Sequence, residues 1–257
     1  MAWRSIVHSA IGTRHQQKQL PCQDFGDYLI QGNLIIGAVA DGAGSAKHAE
    51  IGAKLAVEAT LAALGRIDWS AYEVSTLRAE VGSLFRAVVQ EVVDLLRSTA
   101  ELGEYPLQEL GCTLLAFVAT PHFLASLQIG DGFIVVQEPD SQTYQLLFEP
   151  IKGEFINETV FVTSAGALDH LQYSVRPHLH PFVCAATDGL EKVAIRFQNW
   201  EPFPPFFQPF VDCLQRVASS EERQVYLRQF LDSERLNART DDDKTLLVCL
   251  YGPEESG

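Results

Sequence analysis

Four short acidic motifs, spread over the 257-residue chain, constrain its fold more than any other feature. They are DGAG at 41–44, GDG at 130–132, TDG at 187–189 and DDKT at 242–245. Each of the first three follows a run of apolar residues, and the fourth precedes one at 246–250. An aspartate next to such a run is expected at the end of a buried strand. The motifs therefore predict carboxylates that converge at strand ends from distant parts of the chain.

Carboxylates clustered in this way repel one another unless positive charge lies between them. Hard oxygen ligands of this kind suit Mg²⁺ or Mn²⁺ rather than zinc. The simplest chemistry for such a cage is metal-assisted hydrolysis of a phosphate ester. We therefore expect a site for divalent cations that acts on phosphorylated compounds.

The order and context of these motifs resemble the metal-dependent protein phosphatases of the PP2C type, from about residue 9 to residue 249. The resemblance includes a strand start, GCT at 111–113, and three segments similar to a bacterial branch: GTRH at 12–15, CQD at 22–24 and NET at 157–159. It implies an α+β fold, a four-layer αββα sandwich of two antiparallel sheets flanked by helix pairs. The activity it implies is hydrolysis of phosphoserine and phosphothreonine in proteins by a metal-activated water.

The local pattern agrees with such a fold and predicts one domain over residues 1–257. Strands are predicted at 3–10, 25–30, 33–40, 113–119, 122–129, 133–137, 144–148, 160–164, 171–176, 182–187 and 245–251. Helical spacing of apolar residues predicts helices ending at residue 65 and covering 72–98, 205–218 and 221–232. A short flap-like insertion is expected at about 150–159, and a frayed tail at 252–257.

Charge and composition limit the partners of the chain. The net charge of −14, from 33 acidic and 19 basic residues, argues against a general nucleic-acid or anionic-membrane surface. No apolar run approaches the roughly 20 residues that span a bilayer. The N-terminus begins a strand-like alternation and not a signal peptide. Four of the five cysteines lie in apolar contexts, which predicts buried thiols in a reducing, cytoplasmic compartment.

The resemblance also implies a set of metal ligands. It assigns two Mg²⁺ or Mn²⁺ ions and their water to Asp41, Asp188 and Asp242, with the carbonyl of Gly42 on one ion, Asp24 behind them and Asp131 reaching a third, weaker ion. Asp241 and Asp243 flank Asp242, so the ligand in that stretch could be shifted by one residue, or the stretch could be a solvated acidic turn. Asp131 also fits a plain hairpin turn, because Asp-Gly supports the primed turn types.

Phosphate recognition is expected from the basic loop before Asp24. Its candidates are Arg14, His15 and Lys18, and we favour His15 with Arg14 next. An arginine binds a phosphate in fork geometry, and a histidine can do so as a cation. The alternative is a solvated basic loop.

Two residues depart from the family pattern. Many relatives have a glutamate where this chain has Gln23, and several eukaryotic relatives have a proton-donating histidine where it has Ala43. His48, at the start of the following helix, is a candidate to replace that histidine, but we favour helix capping or simple exposure as its role. The main interpretation is a phosphatase with a phosphoprotein substrate and a cognate Ser/Thr kinase. The alternatives are a weakly active regulatory module and a sensor that docks a kinase.

Overall fold

Two five-stranded antiparallel sheets form the centre of the computed structural model, which describes residues 1–139, 141, 143–148 and 159–253. The first sheet has the order β1 (Ala2–Ala10), β12 (Lys244–Gly252), β9 (Phe182–Ala186), β6 (Phe133–Gln137) and β7 (Tyr144–Leu146). The second has the order β2 (Phe25–Gln31), β3 (Leu34–Ala40), β4 (Leu114–Ala119), β5 (Phe123–Ile129) and β8 (Gln172–Pro177). A two-stranded hairpin pairs β10 (Ile195–Arg196) with β11 (Glu201–Pro202).

Helices cover the outer face of each sheet. In chain order they are α1 (Thr13–Lys18), α2 (Ala49–Gly65), α3 (Val74–Leu102), α4 (Glu191–Ala194), α5 (Pro204–Arg216), α6 (Ser220–Leu231) and α7 (Glu234–Asn237). The long helix α3 forms because apolar residues recur on one face, for example Leu77, Val81 and Phe85, and that face is buried. Helices α2 and α3 pack on the second sheet, and α5 and α6 pack on the first.

Three apolar layers separate these four layers of secondary structure. One lies between α2, α3 and the second sheet, and includes Phe85 and Leu127. Another lies between the two sheets, where Phe117 meets Leu247. The third includes Phe207 and lies between the first sheet and its helices. The predicted αββα sandwich of two antiparallel sheets is confirmed.

Strand pairing brings the ends of four strands to one side of the sandwich. Strand β3 ends at Ala40, beside the start of β4, because Val39 pairs with Leu115. In the other sheet Ala186, at the end of β9, lies between Phe133 and Leu246. The four acidic motifs follow or precede these strand ends, so the topology places them together.

Most predicted elements are present to within a few residues, but some predictions were wrong. Residues 160–164 do not form a strand: Ser164 N–H donates to the carbonyl of Phe161, and Phe161 N–H donates to Ser164 Oγ, which closes a turn. Helices α1, α4 and α7 and the hairpin of β10 and β11 were not predicted. Strand β12 extends to Gly252, so the predicted frayed tail does not begin there. The rest of that tail, 254–257, and nearly all of the predicted insertion, 149–158, lie outside the described residues.

Candidate metal centre

Three aspartates from distant parts of the chain form the centre of the site. Carboxylate oxygens of Asp41, Asp131 and Asp188 all lie within 4.8 Å of one another. Asp41 follows β3, Asp131 lies in the turn between β5 and β6, and Asp188 follows β9. The predicted convergence of these three carboxylates is therefore present in the structure.

The backbone around Asp41 is held from two sides. Asp41 N–H donates to Thr113 Oγ1 (2.9 Å), and Thr113 N–H donates to the Asp41 carbonyl (2.8 Å). The N–H of Gly42 donates to the carbonyl of Gln23 (3.1 Å). A Cβ at Gly42 would lie 2.7 Å from that carbonyl oxygen and 2.8 Å from the Cβ of Ala49, so only glycine fits here. The DGAG motif thus places Asp41 through a close backbone approach.

Asp24 lies behind this cluster and is buried. Its Oδ2 accepts a hydrogen bond from Thr187 Oγ1 at 2.6 Å. Thr187 Oγ1 in turn accepts from Thr245 N–H at 2.9 Å, which fixes the direction of its own proton. Asp24 and Asp188 also act on Asp41 electrostatically, because after burial their charges are the next causes that raise its pKa.

Asp131 has one bonded and one unpaired oxygen. Thr159 Oγ1 donates to Asp131 Oδ2 at 2.7 Å, whereas the buried Oδ1 has no hydrogen-bond partner among the described residues. The turn that carries Asp131 is fixed by Gln128, whose amide donates to the carbonyls of Gly130 (3.1 Å) and Gly132 (3.3 Å). An unpaired buried oxygen on one of three clustered carboxylates fits a cation ligand.

The pKa values of the clustered carboxylates also indicate a cation site. Burial, then the charges of Asp24 and Asp188, raises the pKa of Asp41 far above its usual range. Burial is also the main cause that raises the pKa of Asp24 to about 7 and of Asp188 to about 6. These carboxylates are costly to ionise next to one another. The chemistry of this donor set, oxygen ligands with excess negative charge, fits a hard divalent cation.

The three aspartates at 241–243 have different surroundings. Asp242 is half-buried, its Oδ1 accepts from Arg14 Nη2 at 2.8 Å, and its charge raises the pKa of Asp188. Asp241 is exposed, and its backbone carbonyl accepts from the N–H of Arg14. Asp243 is buried, and both of its oxygens are occupied by N–H donors. None of the three belongs to the group of carboxylates within 4.8 Å of one another, but after burial the charge of Asp242 raises the pKa of Asp188 and that of Asp243 raises the pKa of Asp24.

The basic loop is divided between a buried and an open residue. His15 is 5% exposed, and its Nδ1 lies 2.8 Å from Asp243 Oδ2. Because a carboxylate only accepts, Nδ1 carries the proton of this bond. The side chain of Arg14 is 44% exposed and lies beside Asp242. Lys18 ends α1 and is exposed.

Comparison with known proteins identifies the family. The sequence profile described as "Protein phosphatase 2C" matches residues 11–232. The chain belongs to this family. It is 34% identical over 262 residues to "Serine/threonine-protein phosphatase 3" of Escherichia coli strain K12, a match that covers 98% of this chain and 99% of that protein. The protein is thus a serine/threonine-protein phosphatase of the PP2C family, a metal-dependent family, and its acidic cluster could bind metal.

Solved structures of other proteins share the fold. Stp1 from Staphylococcus aureus superposes with a TM-score of 0.64 at 13% identity, over 98% of this chain and 96% of that one. PppA, described as a key regulatory component of T6SS in Pseudomonas aeruginosa, gives a TM-score of 0.61 at 20% identity, over 97% and 98% of the two chains. At these identities the likeness concerns the fold.

Sequence reasoning missed one acidic residue of this PP2C site. Glu191 begins α4, three residues after Asp188. Burial, then the charges of Asp188 and Asp131, raises its pKa to about 7. The available signal was spacing, because residues three apart on a helical turn lie on the same side.

No helix among the described residues is both long and apolar enough to span a bilayer.

Proposed function

We propose that this phosphatase hydrolyses phosphoserine and phosphothreonine in proteins at the cage formed by Asp41, Asp188 and Asp242, with Asp24 behind it. The observation that carries the proposal is the convergence of the half-buried carboxylates of Asp41, Asp131 and Asp188, including the unpaired Oδ1 of Asp131. We further propose that the cage holds two Mg²⁺ or Mn²⁺ ions, with the carbonyl of Gly42 as a ligand.

Each carboxylate has a distinct task in this proposal. Asp41 lies between Asp24 and Asp188 and would contact both ions. Asp131 and Glu191 lie to one side of Asp188, where they would hold a third, weaker ion. When bound, divalent cations supply an activated water and neutralise charge on the phosphoryl group. The chain itself supplies the rigid placement of its ligands, through Thr113 for Asp41 and Thr187 for Asp24.

For the substrate phosphate we propose Arg14 as the first contact. Its guanidinium is open to solvent at the rim of the cage and already binds one carboxylate, so its fork can also meet a phosphate oxygen. His15, the other predicted contact, is almost enclosed and directs one ring nitrogen at Asp243. A single substitution at each position separates the two assignments.

We also propose a cytoplasmic protein that is one domain over residues 1–257 and acts opposite a cognate Ser/Thr kinase. Its five cysteines are free, and four of them are buried, which fits a reducing compartment. A phosphatase for phosphoserine needs a kinase that forms this ester, which supports the expected kinase partner.

A second candidate function is a regulatory module with weak chemistry. Gln23 favours it: the side chain is buried beside Asp24, its Oε1 has no partner among the described residues, and it is neutral where many relatives carry a carboxylate. A neutral amide gives the adjacent cation less charge.

Metal dependence distinguishes these functions. After metal removal with EDTA, hydrolysis of p-nitrophenyl phosphate and of a phosphothreonine peptide should be absent and should return with Mn²⁺ or Mg²⁺. The variant Asp41→Asn provides the blank. Full turnover in EDTA would refute the proposed site, and Mn²⁺ binding without turnover above the blank would favour the regulatory module.

A further inference from the structure

The buried carboxylate of Asp243, next to the cage, accepts hydrogen bonds from three N–H groups. Its side chain is 2% exposed. Oδ1 accepts from Gly12 N–H at 2.6 Å, and Oδ2 accepts from Gln23 N–H at 2.6 Å and from His15 Nδ1 at 2.8 Å. Isolated carboxylates are rarely buried, because they lose their hydration. Asp243 is therefore retained in the interior by donors from two other segments of the chain.

Each of these segments carries a residue of the proposed site. Gln23 directly precedes Asp24, and Asp243 directly follows Asp242. Helix α1 carries His15 and also Arg14, whose N–H donates to the Asp241 carbonyl and whose Nη2 donates to Asp242. One buried carboxylate thus joins the segment of Asp24, the segment of Asp242 and the basic helix.

An independent observation shows how closely α1 lies on the 241–243 segment. A Cβ at Gly12 would collide with the backbone carbonyl of Asp242 and with the carbonyl oxygen of Asp241. Gly12 has φ −73°, so glycine is needed here for the close approach and not for its backbone angle. The packing and the hydrogen bonds of Asp243 therefore fix the same interface.

We propose that the pair formed by Asp243 and His15 is a positioning device that sets the distance between Asp24 and Asp242, and with it the affinity of the site for divalent cations. Neither residue is a ligand in this proposal. The inference rests on the proposed function, since it concerns the same cage. Partners of this kind orient ligands through hydrogen bonds, and their loss weakens metal binding by about 10–100-fold.

The decisive variant is Asp243→Asn, which keeps the size of the side chain. An amide has one oxygen, so its NH₂ group would face one of the backbone N–H donors that the carboxylate now accepts. Titration calorimetry with MnCl₂ should give a dissociation constant raised by about 10–100-fold, and the Mn²⁺ concentration for half-maximal phosphatase activity should rise in parallel.

The matched control is Thr120→Val. Thr120 Oγ1 also accepts from two backbone N–H groups, those of His122 and Phe123, but in the β4–β5 turn. This turn lies at the end of the sheet away from Asp41, because Ala119 pairs with Ile35 at the start of β3. We expect Thr120→Val to lower the melting temperature and to leave Mn²⁺ affinity unchanged.

A second pair of variants keeps the test decisive if Asp243→Asn does not fold. His15→Asn retains a donor near the position of Nδ1, and His15→Leu removes it. We expect His15→Leu to weaken Mn²⁺ binding and His15→Asn to recover most of the affinity. Equal weakening in both variants would overturn the positioning role of the pair.

Asp41→Asn separates failure of this inference from failure of the proposed function. If Asp41→Asn loses Mn²⁺ binding while Asp243→Asn and His15→Leu bind Mn²⁺ as tightly as the wild type, the cage is correct and the positioning role is wrong. If Asp41→Asn binds Mn²⁺ as the wild type does, the cage itself is misplaced.

Discussion

At the scale of single residues, Asp41 has the most demanding environment in the site. Burial, then the charges of Asp24 and Asp188, raises its pKa. Asp131 differs, because Thr159 Oγ1 donates a hydrogen bond to one of its oxygens. The two positions should therefore respond differently to the loss of one charge.

We expect Asp41→Asn to lower kcat by at least about 100-fold at saturating Mn²⁺, because metal catalysis supplies several kcal/mol of charge stabilisation. Asp131→Asn should cost about tenfold at most and should mainly raise the Mn²⁺ concentration required. Steady-state assays over a Mn²⁺ series measure both effects. Asp94→Asn, on the exposed side of α3, is the control and should match the wild type. Near wild-type turnover in Asp41→Asn would contradict this ranking.

Ala43 leaves the departing oxygen without an obvious proton donor. Its methyl group is buried in a cluster with Ala46 and Ala49, against which Phe161 packs. The ring of His48 packs against that of Tyr105, with 4.4 Å between the ring centroids. Alanine has no proton to donate, and we expect the contact with Tyr105 to keep His48 from acting as the acid.

The rate should therefore depend steeply on the leaving group. General acid catalysis contributes about 10²–10⁴-fold, and an aryl phosphate needs it far less than phosphoserine does. We expect kcat/KM for a series of substituted phenyl phosphates to fall steeply as the pKa of the phenol rises, with the same slope in His48→Ala. A shallow slope in the wild type that becomes steep in His48→Ala would assign the acid to His48.

At the scale of secondary-structure elements, the sequence predicted what is encoded locally. Apolar runs that end at an aspartate predicted β3 and β9 and the placement of Asp41 and Asp188. Helix α1 has no such signal: its six residues, TRHQQK, are polar, and they are held by contacts with residues 241–243. Residues 160–164 show the opposite failure. They are apolar enough for a strand, but Ser164 closes a turn there.

The sequence also could not predict the role of a residue whose partners are distant in the chain. Asp243 looks like one of three equivalent acidic residues in the sequence, and only the donors from Gly12, His15 and Gln23 distinguish it from Asp242. The family and the expected metal ligands came from the resemblance of the motifs. The sequence did not decide which of the three aspartates at 241–243 is the ligand.

Helix α1 should act on substrate binding through Arg14. We expect Arg14→Ala to raise KM for p-nitrophenyl phosphate by about tenfold or more, because a hydrogen bond to a charged group contributes about 1.5–3 kcal/mol. Arg14→Lys keeps the charge but loses the fork, so its KM should be intermediate. Initial rates at saturating Mn²⁺ measure these values. If KM rises in His15→Ala and not in Arg14→Ala, the contact belongs to His15.

At the scale of the whole molecule, the fold contains carboxylates that oppose its own stability. The pKa of Asp188 is raised to about 6 and that of Asp24 to about 7, against about 3.9 in an unfolded chain. Between these values the folded protein binds more protons than the unfolded one. The stabilising contribution of both groups is therefore present below about pH 4 and is lost as pH rises through about 6 to 7.

Divalent cations should reverse this loss, because they bind the ionised carboxylates and compete with protons. At one fixed Mg²⁺ concentration, we expect the gain in melting temperature over the EDTA-treated protein to be larger at about pH 7.5 than at about pH 5.5. Differential scanning calorimetry of both states at the two pH values measures it. Asp41→Asn should show little gain at either pH, whereas Asp94→Asn should follow the wild type. Equal gains for the wild type at both pH values would mean that Mg²⁺ does not displace protons from Asp24 and Asp188, and that these carboxylates are not its ligands.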